Sequence, residues 1–314
     1  MVAAMIIDKE TCRVTDTPTD TPTDTAPDSP RLNAVQCLGS QGLHRMAYWE
    51  WGDPANPRVL VCAHGLSRQG RDFDTLARAL CGDYRVVCPD VVGRGHSGWL
   101  ADPMGYSLPA YVADMVTLLA RLQADTVDWV GTSMGGLIGL GLAALAGSPI
   151  SRLVLNDVGP TIEPVSLQRI GTYLGQPQHW ATEDAAADAL WSVSQGFGPH
   201  SRAQWLALTR PQLRPDGAGF KSHYDPAIAV PFKLITPELA RLGEAALWQA
   251  YDKLRCPTLL LRGENSDLLS PSTAQAMTQR GPRATLVQLP GIGHAPTLVQ
   301  ADQVQVVREF LRGP

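Results

Sequence analysis

Gly131-Thr132-Ser133-Met134-Gly135 stands between the apolar run Val127-Asp128-Trp129-Val130 and a run of small residues from Gly136 to Ala146. These flanks predict a strand, a sharp turn and a helix, with Ser133 at the apex of the turn. A serine held in this way is a candidate nucleophile, because glycines two positions to either side let the backbone and the following helix close around a strained residue. The five letters alone are a weak signal; the strand-to-helix setting gives them weight.

Working outward, the pattern alternates between strand and helix. Upstream, Met46 to Trp51 and Arg58 to Ala63 read as strands, Phe73 to Leu80 as a helix and Tyr84 to Cys88 as another strand. Ser107 is placed to cap a helix running to about Gln123, with Leu108, Tyr111, Val112, Met115, Leu118, Leu119 and Leu122 at helical spacing and Pro109 in its first turn. Downstream, the elbow helix ends near Gly147, and Arg152 to Leu155 is a short strand of near-continuous apolar character, of the kind buried in parallel sheets. Alternation resumes with the strand Pro257 to Arg262, a helix opening at Ser270-Pro271, the strand Ala284 to Leu289 and a closing helix from about Leu298 to Leu311. This order predicts an α/β fold, a mostly parallel central sheet with helices on both faces, whose ligands bind beyond the carboxyl ends of the strands.

Between these halves the alternation stops. Residues 159–253, about 95 in all, carry many prolines, the tryptophans Trp180, Trp191, Trp205 and Trp248, and short helical patterns. That length is too great for a structureless loop in a compact domain, so the segment is expected to be a helical cap insertion. At the other extreme, Thr15 to Thr25 repeats Thr-Asp-Thr-Pro and cannot bury a core. The expected organisation is a low-complexity, disordered tail over 1–30, a core domain in two parts over 31–158 and 254–314, and the cap over 159–253.

Composition narrows the function. Hydrophobic residues make up 44% of the chain, charged residues 18%, and the net charge is -4, which suits a globular protein with a sizeable core and offers nothing to nucleic acid. The short apolar start, Met1 to Ile7, runs into Asp8, Lys9 and Glu10 without a basic leader or a stretch long enough for a membrane span, so a cytoplasmic location is expected. The six cysteines form no C-x-x-C pair, and Cys62 and Cys88 lie in apolar runs, so they read as reduced packing residues rather than zinc ligands.

A serine becomes a nucleophile only beside a base that a third group orients. Two later strand ends offer both. Gly263-Glu264-Asn265-Ser266-Asp267 follows one, and Pro290-Gly291-Ile292-Gly293-His294 follows the other. The order Ser133, Asp267, His294 is expected to form the catalytic set. Glu264 is a rival carboxylate in the same loop, and Asp157, at the end of the preceding strand in Leu155-Asn156-Asp157, is another. Among seven histidines, only His294 follows the acid loop.

With these residues in view, the chain resembles the α/β-hydrolase superfamily over nearly all of Arg58 to Leu311, and in particular its serine carboxylesterase-like members with a helical cap. The resemblance rests on the His64-Gly65 loop, the Asp90 to Gly98 loop, the serine elbow, the Asp267 loop and the His294 loop. It implies that Ser133 attacks a carbonyl, that His294 accepts and returns the proton, and that Asp267 supports the imidazolium. It also implies an oxyanion hole from the backbone N–H groups of Met134 and Leu66, with His64 shaping the loop, and Asp90, Arg94 and His96 serving as scaffold. Trp180, Trp191, Phe197 and Trp205 are expected to pack the cap, which would supply an apolar acyl or alcohol pocket.

The resemblance implies a serine hydrolase that cleaves small carboxylic esters through an acyl-enzyme, without cofactor, metal, nucleic-acid or membrane partner. Dehalogenases and epoxide hydrolases carry Asp where Ser133 stands, carbon–carbon bond hydrolases usually carry Trp after the histidine where this chain has Ala295-Pro296, and His64-Gly65-Leu66-Ser67 departs from the His-Gly-Gly-Gly lipases. Lactones and hydroxyalkanoate oligomers stay open as substrates, as does carbon–carbon bond hydrolysis, and so does a catalytically silent ligand-binding relative, against which the complete catalytic set argues.

Overall fold

A computed structural model of the chain describes residues 29–313. The Thr-Asp-Thr-Pro repeat lies outside the described residues, as does all but the end of the expected 1–30 tail. The strands β1 (Arg31–Gly39) and β2 (Gly42–Trp51) form a hairpin, after which strand and helix alternate through β3 (Val59–Ala63), α1 (Asp74–Leu80), β4 (Arg85–Pro89), α2 (Leu108–Leu122), β5 (Val127–Thr132), α3 (Met134–Ala143) and β6 (Ile150–Asn156). A long excursion follows: α4 (Pro164–Tyr173), α5 (Glu183–Ser192), α6 (Arg202–Thr209), β7 (Leu213–Asp216), β8 (Gly219–Ser222), α7 (Ala229–Lys233) and α8 (Pro237–Lys253). The chain closes with β9 (Thr258–Gly263), α9 (Pro271–Met277), β10 (Thr285–Leu289) and α10 (Ala301–Arg312).

The main sheet has the order β1-β2-β4-β3-β5-β6-β9-β10. Every pair from β4 to β10 is parallel, and β2 runs antiparallel to both of its neighbours. Side-chain alternation along the strands explains why helices cover both faces. Val59, Val61 and Ala63 of β3, Trp129 of β5 and Leu153 and Leu155 of β6 pack into one core with α2 and α3. Leu60 and Cys62 of β3, Val130 of β5 and Val154 of β6 pack into the opposite core with α1 and α10. Each fully buried Leu, Ile or Val contributes about 1.5–3 kcal/mol relative to exposure, so strands apolar on both faces belong only in the middle of such a sandwich. α2 begins after Ser107 and stops at Gln123, whose φ of 54° takes the chain out of the helix.

Two regions depart from the expectations. Residues 31–45, which the pattern left unassigned, form β1 and the start of β2. Their signal is diluted at the sheet edge, where Leu38 and Leu43 are 73% and 74% exposed at the hairpin tip. The inner face is fastened to α2 instead: His44 Nε2 lies 2.9 Å from Asp114 Oδ2, and the Cys37 thiol donates to the Asp114 carbonyl. This is the Cys, His and Asp cluster found among the described residues; its members bond with one another, and His44 Nδ1 is buried without a hydrogen-bond partner.

The 159–253 segment is also less uniform than expected. It contains the β7/β8 hairpin, and the end of α8 joins the main core, with Tyr251 fully buried and its hydroxyl donating to the Met277 carbonyl at 2.7 Å. The segment is sewn to the core beyond the sheet: Gly95 N–H donates to the His223 carbonyl at 2.9 Å and Asp225 N–H to the Gly93 carbonyl at 2.8 Å. Tyr106 donates its hydroxyl to Asp225 Oδ2 at 2.5 Å, fastening the same seam. Among the described residues, no helix is long and apolar enough to cross a membrane.

Candidate active site

Ser133 sits between β5 and α3 with φ 51° and ψ -116°, a conformation that L-residues rarely adopt. Such a backbone costs about 1–3 kcal/mol and persists only where the surroundings over-determine it. Here two close approaches do so. A Cβ on Gly135 would stand 1.9 Å from the Ala63 carbonyl oxygen, and one on Gly131 would stand 2.3 Å from the Gly135 carbonyl oxygen. Glycine at both positions lets α3 start against β3, and the Ser133 N–H is held by the Asn156 carbonyl at 3.0 Å.

His294, in the loop after β10, lies with Nε2 3.0 Å from Ser133 Oγ and Nδ1 2.8 Å from Asp157 Oδ2. A carboxylate only accepts, so Nδ1 carries the hydrogen and Nε2 is left to accept from the serine. Asp157 is fully buried, and its other contacts fix it: Oδ1 accepts from Gly263 N–H at 2.9 Å and Oδ2 from Ser266 Oγ at 2.7 Å.

The structure therefore brings together Ser133 and His294, as expected, but not Asp267. The carboxylate on the histidine is Asp157, the alternative at the end of the preceding strand. The reason lies in sheet order. β6 runs between β5 and β9, so the residue that leaves β6 emerges beside the serine turn, and φ of 56° at Asp157 swings the chain so that its carboxylate reaches under the imidazole. The loop after β9 supplies Ser266 to Asp157 and then points Asp267 the other way, onto Arg169 of α4, with Nε 2.6 Å from Oδ2 and Nη2 3.0 Å from Oδ1. Partial burial pushes the Asp267 carboxyl up, but the Arg169 guanidinium outweighs it and holds the group below the ordinary carboxylate range. Glu264, the other rival, accepts from Gly291 N–H at 2.8 Å. The sequence signal for Asp157 was a pair of polar residues, Asn156-Asp157, ending an apolar strand.

The loop after β3 is shaped by His64. Burial drives its pKa down to about 3, so the ring is neutral. Nε2 accepts from Val91 N–H at 3.0 Å, which leaves the hydrogen on Nδ1 to donate to the Gly65 carbonyl at 2.7 Å. That carbonyl belongs to the peptide whose N–H is Leu66, so the bond sets the direction of the Leu66 N–H. Buried Arg94 grips the other side of the residue, donating from Nε to the Leu66 carbonyl at 2.8 Å, and reaches Met134 Sδ at 3.6 Å. Among the described residues, no backbone bond engages the N–H of Leu66 or of Met134, and a Cβ on Gly65 would stand 3.8 Å from Ser133 Cβ. Asp90, whose pKa burial raises to about 6, supports this region by accepting from Gly70 N–H and His96 N–H, each at 2.8 Å.

Ser133 and His294 open into a cleft walled by the excursion between β6 and β9. Ile170, Tyr173, Leu190, Val193, Phe197 and Leu208 supply its apolar surface. Of the four aromatic residues singled out in this segment, Phe197 lines the cleft, whereas Trp205 is buried, donating to the Ala187 carbonyl at 2.7 Å with its ring centroid 5.0 Å from that of Trp191. Trp180 pairs through its backbone with Phe220.

A strained serine at a strand-to-helix turn, a histidine in hydrogen-bond reach and a buried carboxylate behind it define a serine hydrolase site. Residues 60–309 match the Alpha/beta hydrolase family, and the chain belongs to that family. It is 55% identical over 289 residues to the 3-hydroxybutyrate-oligomer hydrolase of Cupriavidus necator, covering 91% of this chain and 99% of the relative. An esterase of Escherichia coli is 26% identical over 82% of this chain and 94% of its own length. Among solved structures, an alpha/beta hydrolase from Novosphingobium aromaticivorans is 37% identical and superposes with a TM-score of 0.79, covering 90% of this chain and 98% of that one.

Proposed function

We propose that this chain hydrolyses oligomeric esters of short hydroxyacids, with 3-hydroxybutyrate oligomers as the first substrates to test. The chain is a carboxylic ester hydrolase: family membership, the relatives named as hydrolases and esterases, and the serine site all carry that activity. The oligomer substrate is supported by the 55% identity to the Cupriavidus necator enzyme over nearly its whole length. The observation behind the mechanism is the run of hydrogen bonds from Ser133 Oγ to His294 Nε2 and from His294 Nδ1 to Asp157 Oδ2.

In that mechanism, the Ser133 hydroxyl passes its proton to His294 Nε2 as Oγ bonds to the ester carbonyl carbon. The oxyanion is received by the N–H groups of Leu66 and Met134, each such donor being worth about 2.7–4 kcal/mol in the transition state. His294 returns the proton to the leaving alkoxide as the carbon–oxygen bond breaks, leaving an acyl-enzyme. Water, deprotonated by His294, then releases the acid and restores Ser133. Asp157 holds the Nδ1–H tautomer and balances the imidazolium charge in both halves. Asp267 has no part in these steps. The chemistry needs no metal or cofactor, and a cytoplasmic location fits the unbridged thiols of Cys37, Cys62, Cys88 and Cys256.

Incubation with the 3-hydroxybutyrate dimer and trimer is expected to release monomer, with a fluorophosphonate labelling Ser133 and Ser133→Ala losing both signals. Turnover by the alanine variant would refute the acyl-enzyme. Cleavage of p-nitrophenyl butyrate with no action on either oligomer would refute the substrate assignment.

A further inference from the structure

Arg169 has two edges. Its Nε and Nη2 face Asp267, a fork that occupies two of the five guanidinium N–H groups and leaves the Nη1 side for another acceptor. The guanidinium lines the cleft that holds Ser133 and His294, whereas Asp267 is not among the lining residues. The cationic residue thus borders the cleft, whereas its compensating carboxylate does not. Tyr173, one turn along α4, lines the same wall, and its hydroxyl interacts with the Arg169 guanidinium.

The other arginine of the wall is arranged differently. Arg68 gives Nε and Nη2 to Asp72 at 2.7 and 2.6 Å and Nη2 also to the Leu208 carbonyl at 3.2 Å. Asp72 lines the cleft too, so this pair presents both signs to a ligand. The Arg68 side chain is 14% exposed against 37% for Arg169.

An oligomer of a hydroxyacid differs from a simple ester in one respect that a protein can read at a distance: it ends in a free carboxylate. We infer that Arg169, braced by Asp267, is an anion subsite that takes this terminal carboxylate while an ester link of the same molecule lies at Ser133. The inference rests on the oligomer reading of the same cleft. A guanidinium with one fork already fixed is pre-organised for a second carboxylate, since its plane and direction are set before the substrate arrives.

The test compares the free acid of the 3-hydroxybutyrate trimer with its methyl ester, using the intact chain. The readout is the selectivity, kcat/KM for the acid divided by kcat/KM for the methyl ester. The wild type is expected to favour the acid. Arg169→Gln is expected to lower the selectivity about tenfold or more, mainly through KM for the acid, as loss of a charge-assisted pair requires. Arg169→Lys, which keeps charge but not the fork, should fall between the two. Unchanged selectivity in either folded variant, or a wild type that favours the methyl ester, would overturn the subsite while leaving the oligomer reading intact. Turnover of p-nitrophenyl butyrate with neither trimer cleaved would remove the oligomer reading, and the subsite with it.

Discussion

Asp157 Oδ2 lies 2.8 Å from His294 Nδ1, and that carboxylate is steadied twice more, by Gly263 N–H at the end of β9 and by Ser266 Oγ in the loop that follows. The acid at the end of β6 is therefore held by its neighbour strand as well as by its own. Asp157→Asn keeps the shape but removes the preference for the Nδ1–H tautomer. Its kcat on p-nitrophenyl butyrate is expected to fall by about 10³–10⁴. The cost should exceed that of Asp267→Asn by at least about 100-fold, measured side by side. Equal losses would mean that Asp267 serves the histidine.

The Ser133 backbone gives a stability prediction of unusual sign. Both Ser133→Ala and Ser133→Gly remove the nucleophile, but only glycine relaxes φ of 51° with ψ of -116°. The glycine variant should be the more stable by about 1 kcal/mol, strain relief of about 1–3 offset by glycine's entropic cost of about 0.5–1. Chemical denaturation of the two variants decides it, and a more stable alanine variant would mean that the turn stores no strain.

Gly135→Ala tests the close approach beneath the elbow. The new Cβ would meet the Ala63 carbonyl oxygen at 1.9 Å, and because the obstacle is backbone no rotamer change relieves it. A loss above about 3 kcal/mol is expected. Denaturation midpoints, or the yield of folded protein, provide the measurement.

His64 should make stability fall on the acid side. Its folded pKa of about 3 lies below the ordinary 6.5, so the unfolded chain binds the extra proton between those values. Stability from this group is fully present above about pH 6.5 and declines as pH falls toward about 3. Asp90, raised from 3.8 to about 6, acts in the opposite direction over its own window, because there the folded state holds the proton. The comparison of wild type with His64→Gln isolates the histidine: the variant should show the weaker loss of stability between pH 6.5 and 4.5. Identical slopes would show that His64 is protonated in the fold.

Much of the fold was legible because its signals are local. β5 and β6 are largely apolar runs, α2 begins after Ser107 with Pro109 in its first turn and carries its apolar residues at helical spacing, and the serine turn is marked by Gly131 and Gly135, where a side chain would meet backbone. The edge hairpin was not legible, since half of its residues face solvent and its ends expose Leu38 and Leu43. The β7/β8 hairpin was hidden for a related reason: strands of four residues show too little alternation, and β8 is also bridged at Phe220 by Trp180, from another part of the segment.

The sequence by itself determined the order of the parallel strands and the helices between them, the serine at its turn and the histidine after the last strand, because each depends on residues within a turn or two of itself. Tertiary structure decided which carboxylate meets that histidine. Asp157 and Asp267 both follow strands of one parallel sheet, and nothing local separates them. The difference is the direction in which each loop leaves the sheet: Asp157 turns beneath His294 in the shadow of β9, and Asp267 turns outward to Arg169. A side chain's direction at a strand end is fixed by what packs around it, and those neighbours come from β9, α4 and the His294 loop, distant in sequence and close only in the fold.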